Sequence, residues 1–328
     1  MSRGRDFGES LNRGGELEPL GRGGRSSQAI APHGRTLPEH RTDLNDVLRR
    51  DLDLPRTTHR EPVTVRNRSV TLRDSEVRIL ATVGAFRVVD AQDLAQDRPE
   101  GRPSTDRWHG DLEHLREQRL VTVMPHVLHG ERTALVTLTA DGRALLEEHR
   151  SKHPSVVDQQ QYYDGLVKPR EVTHDAQLLR LYQSAAERLH AQGAHVRRVV
   201  LDYELRRDYQ RFLQDRNRNQ PSANGKPNRS REEVRAWADA NHLRVVDGMV
   251  RFSDVRIEYE HPDGRPDRED LELATEHYNA RQMATKTAAG FVVHRSTAGR
   301  LGGGGTARRL GGGSGKRGKA PFDPGGRR

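Results

Sequence analysis

The chain contains no cysteine, which excludes disulfides, thiolate metal sites and cysteine nucleophiles and fits a reducing compartment. Aromatic residues make up 5% and all hydrophobic residues 32% of its 328 positions. That is little for two ordinary domains, so part of the chain is expected to lack a packed core. Long apolar runs are missing as well. No stretch approaches the ~18 consecutive apolar residues of a membrane span. Met1–Ser10 (MSRGRDFGES) has no apolar export-signal core, so a soluble, cytoplasmic protein with no membrane partner is expected.

What is present in excess is positive charge, a net +9 with a pI of about 10.1, which calls for an acidic partner. Residues 1–60 carry a net +2 and residues 299–328 a net +7, whereas 61–150 and 151–298 come to −2 and +2. The centre is therefore neutral in bulk, and any grip it has on phosphate must come from local placement of cations. The two ends also lack apolar periodicity. Residues 1–65 read as a disordered arm with one helix-like patch at Asp43–Leu54, and residues 299–328 as a disordered Gly/Arg-rich basic tail. A polar linker over 151–170 separates two patterned regions, 66–150 and 171–298.

In the first region, Thr71-Leu-Arg-Asp74 predicts a cap at Thr71 and a helix to about Phe86, with Val77, Leu80, Ala81 and Gly84 at helical spacing. A short helix follows over Ala91–Gln96, capped by Asp90. After the breakers Asp97–Pro103, Ser104 caps a third helix to Gln118, with Trp108, Leu112 and Leu115 on one face. Leu120–His126 and Thr133–Leu138 read as strands about a turn at Gly130, and Thr139 caps a closing helix. Three helices and a hairpin make a winged helix-turn-helix. Its third helix is the segment for the major groove of double-stranded DNA, with Arg107, His109 and Arg116 as contacts and Arg132 on the wing. The same helix carries Asp106, Asp111, Glu113 and Glu117, which phosphate repels, and a protein-docking role is the competing reading.

The second region predicts a helix at Thr173–Ala191, a strand at His195–Leu201 and a helix at Asp202–Arg216. After polar breakers comes a helix capped by Ser230 with Glu233 three residues on. Strands at Leu243–Val246, Met249–Tyr259 and Asp270–Leu273, a helix at about Tyr278–Ala289 and a strand at Phe291–His294 complete a sheet flanked by helices. Asp254 falls in a strand, Asp270 and Glu272 point to one face of the next, and Lys286 follows on a helix. Carboxylates that hold Mg²⁺ and a lysine that assists the attacking water are what metal-dependent phosphodiester cleavage requires. The competing reading is an exposed sheet face whose acids are solvated or paired with some of the chain's 50 arginines. His174 either serves this site or caps its helix, and the cap is the favoured reading.

Across residues 70–295 the chain resembles the replication-relaxation proteins of bacterial conjugative plasmids and integrated mobile elements. The matching pieces are Thr173-His174-Asp175, Glu204-Leu205-Arg206, Asp254 in the place of the family's Pro-Asp aspartate, Asp270-Leu-Glu-Leu-Ala-Thr275, and Lys286. Ser253 stands where the family has proline, the acids at 270 and 272 are exchanged in type, and Ala274 replaces glycine. The resemblance implies a winged helix followed by a domain similar to the PD-(D/E)xK nuclease fold. It also implies metal ligands at Asp254, Asp270 and Glu272 and a catalytic Lys286.

The sequence thus leads to an α/β (α+β) protein: a winged helix, then a nuclease-like mixed sheet flanked by helices, with disordered ends. The function expected first is that of a DNA-binding accessory protein of a mobile element, acting in plasmid replication, transfer or its regulation. A relaxase or replication protein, and a second copy of the chain, are further expected partners. The alternatives are a Mg²⁺-dependent endonuclease of the PD-(D/E)xK type and a winged-helix transcriptional repressor.

Overall fold

Residues Asp74–Phe86 carry apolar side chains on nearly every side, and the helix they form, α1, is buried all round. The computed structural model describes residues 44–96, 105–128, 130–151, 159–166, 171–215, 229–274 and 279–295, and not the side chains at 96, 105–107 and 295. The arm up to residue 43, the Ser104 cap, the insertion 216–228 and the basic tail lie outside the described residues.

The segment before α1 departs from the expected disordered arm. Residues 61–72 fold into a hairpin of β1 (Glu61–Val65) and β2 (Arg68–Leu72), turning at Arg66 and Asn67 with φ of 44° and 65°. Val63, Val65, Val70 and Leu72 alternate inward, and that period-2 burial is what orders the segment. Thr71 therefore lies in a strand, and Arg73 is the residue that precedes α1, its N–H donating to the Glu76 carboxylate at 3.0 Å. Upstream, a 3-10 turn at Asp46–Arg49 buries Leu48. Two tyrosine hydroxyls anchor this stretch, Tyr162 to the Leu48 carbonyl at 2.6 Å and Tyr182 to that of Leu44 at 2.7 Å.

After α1 come β3 (Val89–Asp90), α2 (Ala91–Gln96), α3 (Thr105–Glu117), the long hairpin of β4 (Val121–Leu128) and β5 (Glu131–Leu138), and α4 (Ala140–Glu148). The three strands form an antiparallel sheet in the order β3-β5-β4. Thr139 caps α4 by accepting from the Gly142 N–H at 3.0 Å. A Cβ at Gly142 would stand 2.0 Å from the Leu120 carbonyl oxygen, so only glycine lets α4 press onto the start of the hairpin.

The predicted helix Thr173–Ala191 divides into α5 (Val172–Asp175) and α6 (Leu178–Ala191). Then follow β6 (His195–Leu201), α7 (Asp202–Asp215), α8 (Arg231–Ala240), the small hairpin β7 (Arg244–Val246) and β8 (Met249–Arg251), β9 (Val255–Glu260), β10 (Pro266–Ala274), α9 (Ala280–Ala288) and β11 (Val292–Arg295). The main sheet runs β11-β10-β9-β6, parallel between β10 and β11 and antiparallel elsewhere. The expected strand Met249–Tyr259 breaks at Phe252–Asp254, because β8 pairs only with β7 and β9 joins the main sheet. Phe252 packs with Ala238 and Leu243 in a satellite cluster under α7 and α8.

One core runs through both patterned regions. Phe86 of α1 meets Tyr182 of α6 with ring centroids 5.3 Å apart, and the same cluster includes Ile257 of β9 and Leu271 of β10. Each such side chain contributes roughly 1.5–3 kcal/mol by leaving water. Part of the expected linker is core too. Tyr162 and Tyr163 are buried, and the Gln160 amide both donates to and accepts from the Val199 backbone at 3.0 Å, standing in for a neighbouring strand at the β6 edge. No described helix is long and apolar enough to cross a membrane.

Candidate functional site

Two places answer to the sequence-predicted residues. The first is α3 with the hairpin beside it. Trp108, Leu112 and Leu115 turn inward as their spacing requires. Asp111, fully buried, takes the Arg73 guanidinium, while His114 and Gln118 reach the Thr71 carbonyl at 3.1 and 2.7 Å. One side of α3 is thereby fixed to α1 and β2, and His109, Gly110, Glu113, Arg116 and Glu117 remain exposed. Arg116 is ion-paired with Glu113 on its own helix, so it meets the surroundings as half of a neutral pair. The Arg107 side chain lies outside the described residues. Arg132 is exposed on β5, two residues past Gly130 (φ 86°), with no acceptor among the described residues. Between α2, α3 and the hairpin opens a cavity of 1190 Å³ whose lining mixes apolar residues such as Ala91, Leu112, Val123 and Pro125 with Glu113 and Arg116.

The second place is the end of the main sheet where β6 leads into α7. Backbone bonds from Asp202 N–H to the Asp254 carbonyl (3.2 Å) and from Asp254 N–H to that of Leu271 (3.1 Å) bring three segments together there. Asp254 stands just before β9 rather than within a strand. Its carboxylate accepts the Leu273 N–H at 2.8 Å and meets His174 Nε2 at 3.2 Å. His174 Nδ1 faces Asp175 at 3.2 Å, so the imidazole bridges two carboxylates and caps nothing. Burial opposes its charging, but hydrogen bonds to Asp175 and Asp254 and their charges outweigh that, and its pKa is raised to about 10.

Asp270 and Glu272 share a face of β10 but not a function. Asp270 takes the Arg256 guanidinium in a two-point bond, 2.8 and 3.0 Å, and the Ser253 hydroxyl at 2.8 Å. Arg256 also donates to the carbonyls of Asn241 and His242, so this pair ties the end of α8 to the sheet. Glu272, fully buried, meets Lys286 Nζ at 2.6 Å, and the lysine also donates to the Phe252 carbonyl at 3.1 Å. Lys286 thus stands beside Glu272 as its ion-pair partner. Asp254, Asp270 and Glu272 do not form one ligand set: each is engaged by a different cation. Among the described residues no group of three or more His, Asp or Glu is placed to hold a metal ion.

Sequence reasoning missed the aromatic cage beside this end of the sheet. Arg87, which ends α1, lies over the Tyr203 ring at 4.4 Å and the Tyr163 ring at 5.0 Å. Tyr163 donates to Glu204 at 3.2 Å, and Glu204 pairs with Arg198 at 2.8 Å. Burial pushes the Glu204 carboxyl up, with Arg198 pulling it back down. Nothing in the local spacing of Arg87, Tyr163 and Tyr203 marks them as neighbours. No family model matches the chain, and no curated protein or solved structure matches it at a significant level.

Proposed function

We propose that this is a DNA-binding accessory protein of a mobile element, acting in plasmid replication, transfer or its regulation, which grips duplex DNA without cutting it. The order α1, α2, α3, β4, β5 is read as a winged helix, with α3 entering the major groove and the β4–β5 hairpin lying along the neighbouring backbone. The observation that carries the reading is that α3 is pinned along one side while its Glu113–Arg116 side is exposed, with Arg132 on the adjacent hairpin unpaired among the described residues. On contact with phosphate, Arg116 exchanges its exposed partner Glu113 for DNA; both members of the pair are in water, which competes for each, so the pair opens readily. The resemblance to replication-relaxation proteins supports the assignment to a mobile element, and a relaxase or replication protein is the partner class it implies.

The second reading, a PD-(D/E)xK-type endonuclease, is favoured by the order α6, β6, β9, β10, α9, β11 with β10 and β11 parallel and Glu272 beside Lys286. The residues present do not fit a Mg²⁺ site of the expected kind. Asp254 is held by His174, Asp270 by Arg256 and Glu272 by Lys286, so the acids form closed ion pairs instead of an open set of oxygen ligands. Labelled duplex and supercoiled plasmid separate the readings. Salt-sensitive duplex binding with no nicking in Mg²⁺ is expected; Mg²⁺-dependent nicking abolished by Asp254→Asn would replace the accessory reading with the enzyme.

A further inference from the structure

Arg87 is an unusual residue on three independent counts. Its backbone, φ 66° and ψ −52°, lies where side-chain-bearing residues are strained, and glycine would be the ordinary choice after a helix. Its guanidinium makes no hydrogen bond or ion pair with the described residues, and its buried Nε has no partner at all. Yet the group is held in a fixed place over the two rings of Tyr163 and Tyr203, which themselves meet edge to face at 5.7 Å. The carboxylates nearby do not claim it, because Glu204 is paired with Arg198 and Asp202 with Arg206. Strain and an unmet donor set are kept here with the two rings as the only compensating contact among the described residues.

The surroundings describe what would complete it. Tyr203 is 43% exposed, one of few large rings so placed among the described residues. Arg207 lies four residues on, on the same face of α7, in an exposed pair with the adjoining Asp208 at 3.4 Å. A fixed planar cation with open donors suits a phosphate oxygen, and an exposed ring next to it suits a nucleobase. A base stacks on a protein ring only when it is unpaired or splayed out, so the ligand is a single strand and not a duplex.

We propose that Arg87 and Tyr203 form a docking site for single-stranded DNA at the junction of α1 and α7, Arg87 binding a phosphate and Tyr203 stacking the adjoining base. The inference rests on the DNA-binding reading above and adds to it a second strand-binding place apart from α3.

The test uses the full chain, with a labelled oligothymidine and a labelled duplex titrated in parallel by fluorescence anisotropy. The wild-type protein should bind oligothymidine in a salt-sensitive manner. Arg87→Gly, which relieves the backbone strain, and Tyr203→Ala should each weaken that binding by about tenfold. Tyr203→Phe should stay within about twofold, and duplex affinity should hold in all three variants. Thermal melts confirm that the variants are folded. Wild-type oligothymidine affinity in both Arg87→Gly and Tyr203→Ala overturns the proposal. Duplex binding by the wild type without oligothymidine binding overturns it alone, and binding of neither probe overturns the duplex reading with it.

Discussion

The exposed side of α3 and the end of the main sheet both present acids and bases in pairs, yet the pairs differ in kind. Arg116 and Glu113 are three residues apart on one helix and both sides are wet, so water competes for each and the pair opens at little cost. Glu272 with Lys286, and Asp270 with Arg256, join separate elements with one partner out of water. There the loss of one partner strands a charge in a poor solvent. The same chemistry therefore gives a surface free to exchange its counter-ion for phosphate in one region and a structural lock in the other. That contrast is why the acids of the sheet, which read as metal ligands in sequence, are placed here as part of the fold.

The comparison can be broken or sharpened in order of expected size. Tyr182→Ala, in the core that spans both regions, should cost about 4 kcal/mol and lower both in a single urea transition. Two separate transitions would show that the regions fold independently. Glu272→Ala should cost about 3 kcal/mol, and Glu272→Leu with Lys286→Met should recover most of it; a loss too small to measure would mean the pair is not a lock.

The next effect appears only with pH. The folded pKa of His174, about 10, lies above its ordinary 6.5, so its stabilisation is complete below about 6.5 and is lost as pH rises towards 10. His174→Gln should flatten the alkaline fall in stability over that window, and an unchanged slope in urea melts would remove the cation from the Asp175–Asp254 bridge. The smallest effect belongs to the open pair. Glu113→Gln should leave the melting temperature where it is and raise duplex affinity a few-fold by releasing Arg116. Equal affinity in wild type and variant would take Arg116 out of the contact.

How far the fold could be read in advance follows from how local each signal is. The inward face of α3, the Thr139 cap, the Ser230–Glu233 capping box and the β4–β5 hairpin depend on residues within a few positions, and each forms where spacing put it. The β1–β2 hairpin was missed: only four apolar positions, Val63, Val65, Val70 and Leu72, carry its alternation, and its Arg66-Asn67 turn lacks glycine and lies in an Arg-rich stretch. Tyr162 and Tyr163 are buried because the fold carries them onto α1, which no local pattern announces. In the candidate site, the acids were found but not their partners. Register decides that Arg256 faces Asp270, and the break at Phe252–Asp254 decides that Asp254 meets His174. Arg87 and Tyr203 meet only through tertiary packing, so their stack was out of reach of spacing arguments.

The central claim, that an open α3 face and its neighbouring hairpin hold duplex DNA, is tested most directly by duplex affinity of Arg132→Ala against wild type across a salt series. The logarithm of the binding constant should fall linearly with the logarithm of salt concentration for both, with a slope shallower by about 0.9 in the variant, one phosphate contact having been removed. Identical lines for the two proteins, or binding indifferent to salt, would contradict it.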